Sequence, residues 1–536
     1  MTDMHESRPP QHAAKDGLPP QPDHHAQPND TNLEGESSKA RLERLGRQRP
    51  KALPSAWKEI GFVFSIVMSQ ALTEYFVSGF TVLIPTVVSA LDISPQAVTW
   101  PASAFSLVIS SFLLPFGRLA DIYGGFPVYI AGSVWYCAWA VIVGFSQNEI
   151  MLDVCRAMQG LGPAAYLPAG LMLLGSVYRP GPRKNLVFCI YGAMAVLGFF
   201  IGIFFAGVAG EYAGWRWYFW IGGILAAFTA VVAWFTIPND HADLKHNGVK
   251  MDWLGSITIV SGLILLVYAI TDSSHAPQGW ATPYIYVAFT ASVLFLSAAF
   301  YIEGWVAEQP LLPFEVFTVK YMRPFIFGLL LSYGTLGIFL LYATLHITNI
   351  MHVSPMQLVA WYLPMSIGGC FLAISGGFLL HKIPGTLILF ISTLAVIINS
   401  LLFALQPPDA SYWPWVFPAM CCATIAIDLL FSAASIFLST SLPKEKQGLA
   451  GALSNVLLQL GVALLLGFAD IVVSETGGSE RESYKHAFWF ELGCGALAMV
   501  VFLGFVRMGR AESDFTYEEK REEEMTEQSS EQGVTR

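Results

Sequence analysis

The chain has 536 residues, of which 54% are hydrophobic and 13% charged, and its mean hydropathy is +0.53. No soluble globular domain is this apolar, so the protein is integral to a membrane. Much of the formal charge of −10 comes from the two ends, and no basic face for nucleic acid is present.

Residues 1–55 mix Pro, His, Gln and charges without an apolar segment, and are expected to form a disordered cytoplasmic tail. With no signal-peptide core in that stretch, the first apolar run itself directs insertion. Arg41, Arg44, Arg47, Arg49 and Lys51 precede it, as on the flank of an untranslocated end. Fourteen apolar runs of membrane-spanning length then follow, from about residue 60 to about residue 506. With the N-terminus in the cytosol, the inside loops hold eleven Lys and Arg, and the outside loops hold three, Arg216, Arg481 and Lys485. This asymmetry predicts fourteen helices with both ends cytoplasmic. Residues 507–536, with the cluster Glu518, Glu519, Glu522, Glu523 and Glu524, read as a solvated acidic tail.

Within this frame, Gly117-Arg-Leu-Ala-Asp-Ile-Tyr-Gly124 is a short polar joint that makes the second and third runs antiparallel neighbours. Its charges, Arg118 and Asp121, stand where the chain leaves lipid. Ionisable residues inside the runs are few: Glu74 in the first, Arg156 in the fourth and Asp428 in the twelfth. Each charge costs from about 2.5 kcal/mol upward in lipid, so each calls for a partner or for water. Glu74 and Arg156 come to similar depths in oppositely directed helices and are expected to reach each other. They form either a proton-exchanging pair or a static ion pair; Asp428 is either a third proton carrier or a neutral carboxyl bonded to a neighbouring helix.

Small residues recur every four positions at Gly198, Gly202, Ala206 and Gly210, and again, mixed with amides, at Gly451, Asn455, Gln459, Ala463 and Gly467. Such spacing puts each set on one helix face and lets another backbone come close. Gln70, Gln159, Tyr333, Trp361, Asn455 and Gln459 are the candidate lining of a substrate cavity. His346 and His352 are expected at an interface. All seven cysteines fall in apolar runs as small hydrophobes, so no disulfide or metal site is expected. With no nucleotide-binding loop or nucleophile elbow in the sequence, neither an enzyme nor an ATP-driven pump is expected.

Several of these stretches resemble motifs of the major facilitator superfamily. Gly117, Asp121 and Gly124 match the Gly-x-x-x-Asp-x-x-Gly signature between its second and third helices, with Gly125 and Phe126 in place of the usual basic pair. Arg156-Ala-Met-Gln-Gly resembles its Arg-x-x-Gln-Gly motif. Gly198 to Gly207 resembles its antiporter motif, with Ile203 at the proline position and Ala206 at a glycine position. Trp215-Arg216-Trp217 is similar to the opening of the sixth helix in drug antiporters, and Gly377 to Lys382 to a decayed copy of the joint, with His381 where Asp121 stands.

The resemblance runs from about Trp57 to Phe505 and is to the fourteen-helix drug and proton antiporters of fungal type. It implies an all-α membrane protein with six-helix bundles over 56–240 and 319–506 and two inserted helices over 241–318. It also implies proton transfer at Arg156, a cavity role for Gln159, and contact of Asp121 with the start of the thirteenth helix. The implied activity is proton-driven export of small organic molecules; a monomer without cofactor is expected, with the plasma membrane as the default location. Proton-coupled uptake of a small cation or iron chelate, and a non-transporting sensor on the same scaffold, stay open at this point.

Overall fold

The computed structural model describes residues 47–179, 182–240, 248–379, 383–442, 447–476 and 478–509, and its long elements are all helices. In lipid no water satisfies a free N–H or C=O, so apolar runs of this length close on their own hydrogen bonds. The first half supplies α1 (Ala56–Leu91), α2 (Thr99–Tyr123), α3 (Gly125–Val143), α4 (Glu149–Val177), α5 (Pro182–Val208) and α6 (Arg216–Thr236). Next come α7 (Trp253–Ser273) and α8 (Pro283–Tyr301). The second half supplies α9 (Met322–Leu345), α10 (Pro355–Leu379), α11 (Gly385–Ala404), α12 (Phe417–Ser441), α13 (Gln447–Thr476) and α14 (Glu480–Phe505). Among the described residues, thirteen helices are long and apolar enough to cross a membrane. The remaining one, α10, has 25 residues and runs between α5 and α12. At 1.5 Å per residue its length of about 37 Å also suffices.

The packing repeats itself with an offset of eight helices. In the first bundle α1 packs on α5 and α6, α2 on α4, and α3 on α4 and α6. In the second, α9 packs on α13 and α14, α10 on α12, and α11 on α12 and α14. The bundles meet along two seams, α2 with α13 and α5 with α10, which the same offset exchanges. The inserted α7 and α8 pair with each other, and α7 leans on α2 and α13 beside one seam.

Lipid gives apolar side chains no reason to prefer each other over the bilayer, so close backbone approach decides which helices associate. At the crossing of α1 and α5, a Cβ on Gly198 would strike the backbone of Ala71, and one on Gly202 the backbone of Tyr75. The repeat uses the same device: a Cβ on Gly461 of α13 would lie 2.7 Å from the Leu330 carbonyl and 3.0 Å from the Gly334 nitrogen of α9. The four-residue stripe of α13 has other neighbours. Its Gly451 approaches Leu171 of α4, Ala463 packs with Leu107 of α2 and Val267 of α7, and Gly467 meets Thr271 of α7.

Two local readings change. The polar joint is not a loop: α2 stays helical through Tyr123, and the turn is Gly124 alone, at φ 103°, a conformation that favours glycine. The Asp240 carboxylate then accepts from the nitrogens of Gly125 (2.7 Å) and Phe126 (3.0 Å), capping the positive start of α3. Residues 47–55, assigned from sequence to the disordered tail, pack against α1 and α5. Leu53 is buried, Arg49 donates to Glu59 at 3.2 Å, and Arg183 donates to the Arg47 carbonyl. Glu59 also receives Arg183 at 2.6 and 2.7 Å and the Tyr178 hydroxyl at 3.0 Å. Burial, with the Glu59 carboxylate beside it, pushes the Tyr178 hydroxyl well above its ordinary range, so it remains a donor. The rest of both tails, His381, Lys245, Lys382, Lys444 and Lys446 lie outside the described residues.

The Gly461 crossing predicts that Gly461→Ala lowers stability by about 1–3 kcal/mol, read as a drop in melting temperature of the solubilised protein. Gly192→Ala, at a position with nothing within 4 Å of a new Cβ, is expected to leave it unchanged.

Candidate functional site

On α1, Gln70, Glu74 and Ser78 stand four residues apart and share the face toward α5. Gln70 Nε2 donates to Glu74 Oε1 at 3.1 Å, and Gln70 Oε1 accepts from the Tyr191 hydroxyl of α5 at 2.7 Å. The Ser78 hydroxyl lies between the carbonyls of Glu74 (2.8 Å) and Phe199 (2.7 Å). This ladder fixes Glu74 at the α1–α5 crossing while leaving it partly exposed.

Asp428 stands across the same seam. Thr424, one turn earlier on α12, donates to its Oδ2 at 2.7 Å. Gly369 of α10 makes room for it: a Cβ there would lie 3.0 Å from Asp428 Oδ2 and 2.8 Å from Val196 of α5. Tyr191, Val196 and Phe199 thus place Glu74 and Asp428 on either side of one two-turn stretch of α5, about 12 Å long. Asp428 is also partly exposed, and neither carboxylate has a basic partner among the described residues.

Arg156 behaves differently, and its expected pairing with Glu74 does not form. Phe76 stands two residues, hence about 200°, around α1 from Glu74, and it is on that side that Arg156 lies. Its Nη2 donates to the Phe76 carbonyl (3.2 Å), Nη1 to Gln159 Oε1 (3.0 Å) and Nε to the Pro101 carbonyl (3.4 Å). The guanidinium sits between the rings of Phe80 and Phe105, 4.2 and 4.4 Å from their centroids, and the residue is 1% exposed. Asp153 stands one turn earlier on α4. Gln159 is enclosed with it, its Nε2 without a partner.

The two ends of the bundles differ. At the end carrying the joint, Arg118 donates to the carbonyls of Gln309 (3.0 Å) and Pro310 (2.7 Å), which follow α8. Asp121 is exposed there, and residues 443–446, next to the start of α13 where its contact was expected, lie outside the described residues. At the opposite end the halves are bonded together. Asp470 of α13 accepts from Thr99 of α2 (3.0 Å) and Ser274 of α7 (2.6 Å), with His275 Nε2 at 3.5 Å. Glu211 accepts from the Met356 nitrogen at 2.8 Å, and a Cβ on Gly207 would strike Val359. Ala206 is buried one residue earlier. The seam is therefore closed at the end away from the joint.

The other candidates scatter. Tyr333 is enclosed in α9 beside Gly461, its hydroxyl without a partner. Asn455 donates back to the Gly451 carbonyl at 3.0 Å, and Gln459 is buried. Trp361 packs on Tyr412, 4.8 Å between centroids, in a surface pocket with His352 at the opposite end, two turns before Gly369. His346, expected at an interface, is instead 1% exposed between the rings of Phe403 and Phe488, because α9 continues into a buried turn there. Asp153, Asp470 and Glu491 are further carboxylates within apolar runs, carrying the same sequence signal as Glu74 and Asp428.

A membrane scaffold of two like bundles, with carboxylates along the seam between them, defines a secondary transporter. The chain belongs to the Major Facilitator Superfamily, whose profile matches residues 66–466. It is 33% identical to a low affinity ammonium transporter of Saccharomyces cerevisiae, over 85% of this chain and 89% of that one. It is 29% identical to the efflux pump terJ of Aspergillus terreus, over 86% of this chain and 90% of that one. In fold it resembles a crystal structure of the nucleoside transporter NupG, with a TM-score of 0.56 at 13% identity, covering 84% of this chain and 99% of that one.

The Asp470 contacts predict that Asp470→Asn weakens closure at that end by about 1–2 kcal/mol. A single cysteine at the buried Ser103 of α2, in a background lacking the native cysteines, is expected to react with a maleimide at least about fivefold faster when Asp470→Asn is present.

Proposed function

We propose that the protein exports small organic molecules in exchange for protons. The observation that carries this reading is the placement of Glu74 and Asp428, one from each bundle, partly exposed and without a basic partner among the described residues, on either side of the same two turns of α5. A carboxylate so placed holds its charge while water reaches it and is costly to keep charged once the seam closes, so closing and protonation are linked. Arg156, enclosed by carbonyls and rings, acts in this scheme as a fixed positive charge behind the seam and not as the exchanging partner of Glu74. Taking the joint end as cytosolic, as the Lys and Arg distribution indicates, both termini are inside and the structure is closed to the outside. The seam then receives substrate from the cytosol, and the plasma membrane is the site of action. The packing of Gly207 on Val359 and of Gly210 on Pro355 supports closure along α5, in keeping with the antiporter resemblance.

A second reading, uptake of a small cation, is favoured by one observation, the likeness to a low affinity ammonium transporter over most of both chains.

Vesicles containing the purified protein separate the two. Under an imposed proton gradient, export predicts that a flat organic dye moves against the protons and that Glu74→Gln and Asp428→Asn each cut this flux at least about tenfold. Saturable methylammonium entry moving with the protons, and no dye flux, would establish uptake in its place.

A further inference from the structure

Inside the second bundle, α14 carries Glu491, which has no exposed surface and no hydrogen-bond partner for either carboxylate oxygen. It lines a cavity of about 20 Å³ together with Ser332 and Thr335 of α9 and Asn399 of α11. Ser332 Oγ and Asn399 Oδ1 are also buried without a partner, each residue 3% exposed. Two other nearby hydroxyls are committed elsewhere. Ser400, beside the carboxylate, gives its hydrogen to the Val396 carbonyl at 2.8 Å, and Thr335 gives its own to the Ser332 carbonyl at 2.7 Å. Residues carrying four unpartnered oxygens therefore line a void that holds about one water-sized occupant, with apolar side chains such as Leu336, Phe339 and Ile427 on its other sides.

No Lys, Arg or His among the described residues pairs with Glu491. None of the four oxygens is in hydrogen-bond contact with another, so protonating the carboxyl does not by itself pair them, whereas one small cation placed between them serves all of them together and cancels the charge. Oxygen donors suit a hard ion, and a single carboxylate balances one positive charge; a divalent ion would leave net charge in the bundle interior. We propose that Glu491, Asn399, Ser332 and Thr335 form a binding site for one dehydrated monovalent cation, which ties α9, α11 and α14 together. The site is separate from Glu74 and Asp428 and does not rest on the direction of transport.

Sodium, potassium and ammonium share the required chemistry, and the experiment separates them. The full-length protein, purified in detergent, is melted at fixed pH and ionic strength in sodium, potassium, ammonium or choline chloride. One of the three small ions is expected to raise the melting temperature saturably, by about 3 °C over choline. The effect should vanish in Glu491→Gln and need about tenfold more ion in Ser332→Ala, which carries the test if Glu491→Gln does not fold. Glu74→Gln should keep the response, separating this site from the seam. Equal melting in all four salts overturns the proposal, as does an ion response that survives both substitutions. A neutral carboxylic-acid infrared band lost only in Glu491→Gln would then assign the void to a water beside a protonated acid.

Discussion

The contact on which the rest of the molecule depends is the backbone-to-backbone crossing of α1 and α5 at Gly198 and Gly202. In a bilayer, association comes from close packing and not from expelling water, so two glycines without side chains set the distance between these helices. That distance lets Tyr191 reach Gln70, lets Gln70 hold Glu74, and brings the next turn of α5 to Gly369 and Asp428. The same helix packs against α10 farther along, at Gly207 and Gly210. One helix therefore positions a carboxylate from its own bundle, packs at the glycine that makes room for the carboxylate of the other, and closes the seam beyond both.

Arg156 and the two carboxylates at the seam are handled in two ways. Arg156 is surrounded by fixed carbonyl dipoles and the faces of two aromatic rings, an environment that suits a permanent cation and admits no exchange with water. Glu74 and Asp428 each have a single neutral donor and keep part of their surface open. The first arrangement offsets the cost of burial with fixed contacts; the second is held in place by geometry and has little beside it to offset burial.

The inserted helices are more than a spacer between halves. The chain after α8 accepts both hydrogen bonds of Arg118 at the joint end, while the end of α7 supplies Ser274 and His275 to Asp470 at the other. Trp100 of α2 adds a bond to Asp272 at 3.3 Å. A rocking motion of the bundles about the α2–α13 seam therefore changes contacts of the inserted pair at both ends.

Membrane character, the number of spans and the small-residue face of α5 were all legible in the chain, because each is a one-dimensional property: hydropathy over about 20 residues, or spacing along one helix. The expected pairing of Glu74 with Arg156 failed for a three-dimensional reason. Equal depth in two antiparallel helices says nothing about rotation around each axis, and the roughly 200° between Glu74 and Phe76 sends the two side chains to opposite sides of α1. Burial of His346, order in residues 47–55 and the lone position of Glu491 depend in the same way on which faces meet. Sequence alone determined what crosses the membrane and where the chain approaches itself closely; only the packed bundles decided which charges face each other, because that depends on helix rotations that no linear spacing records.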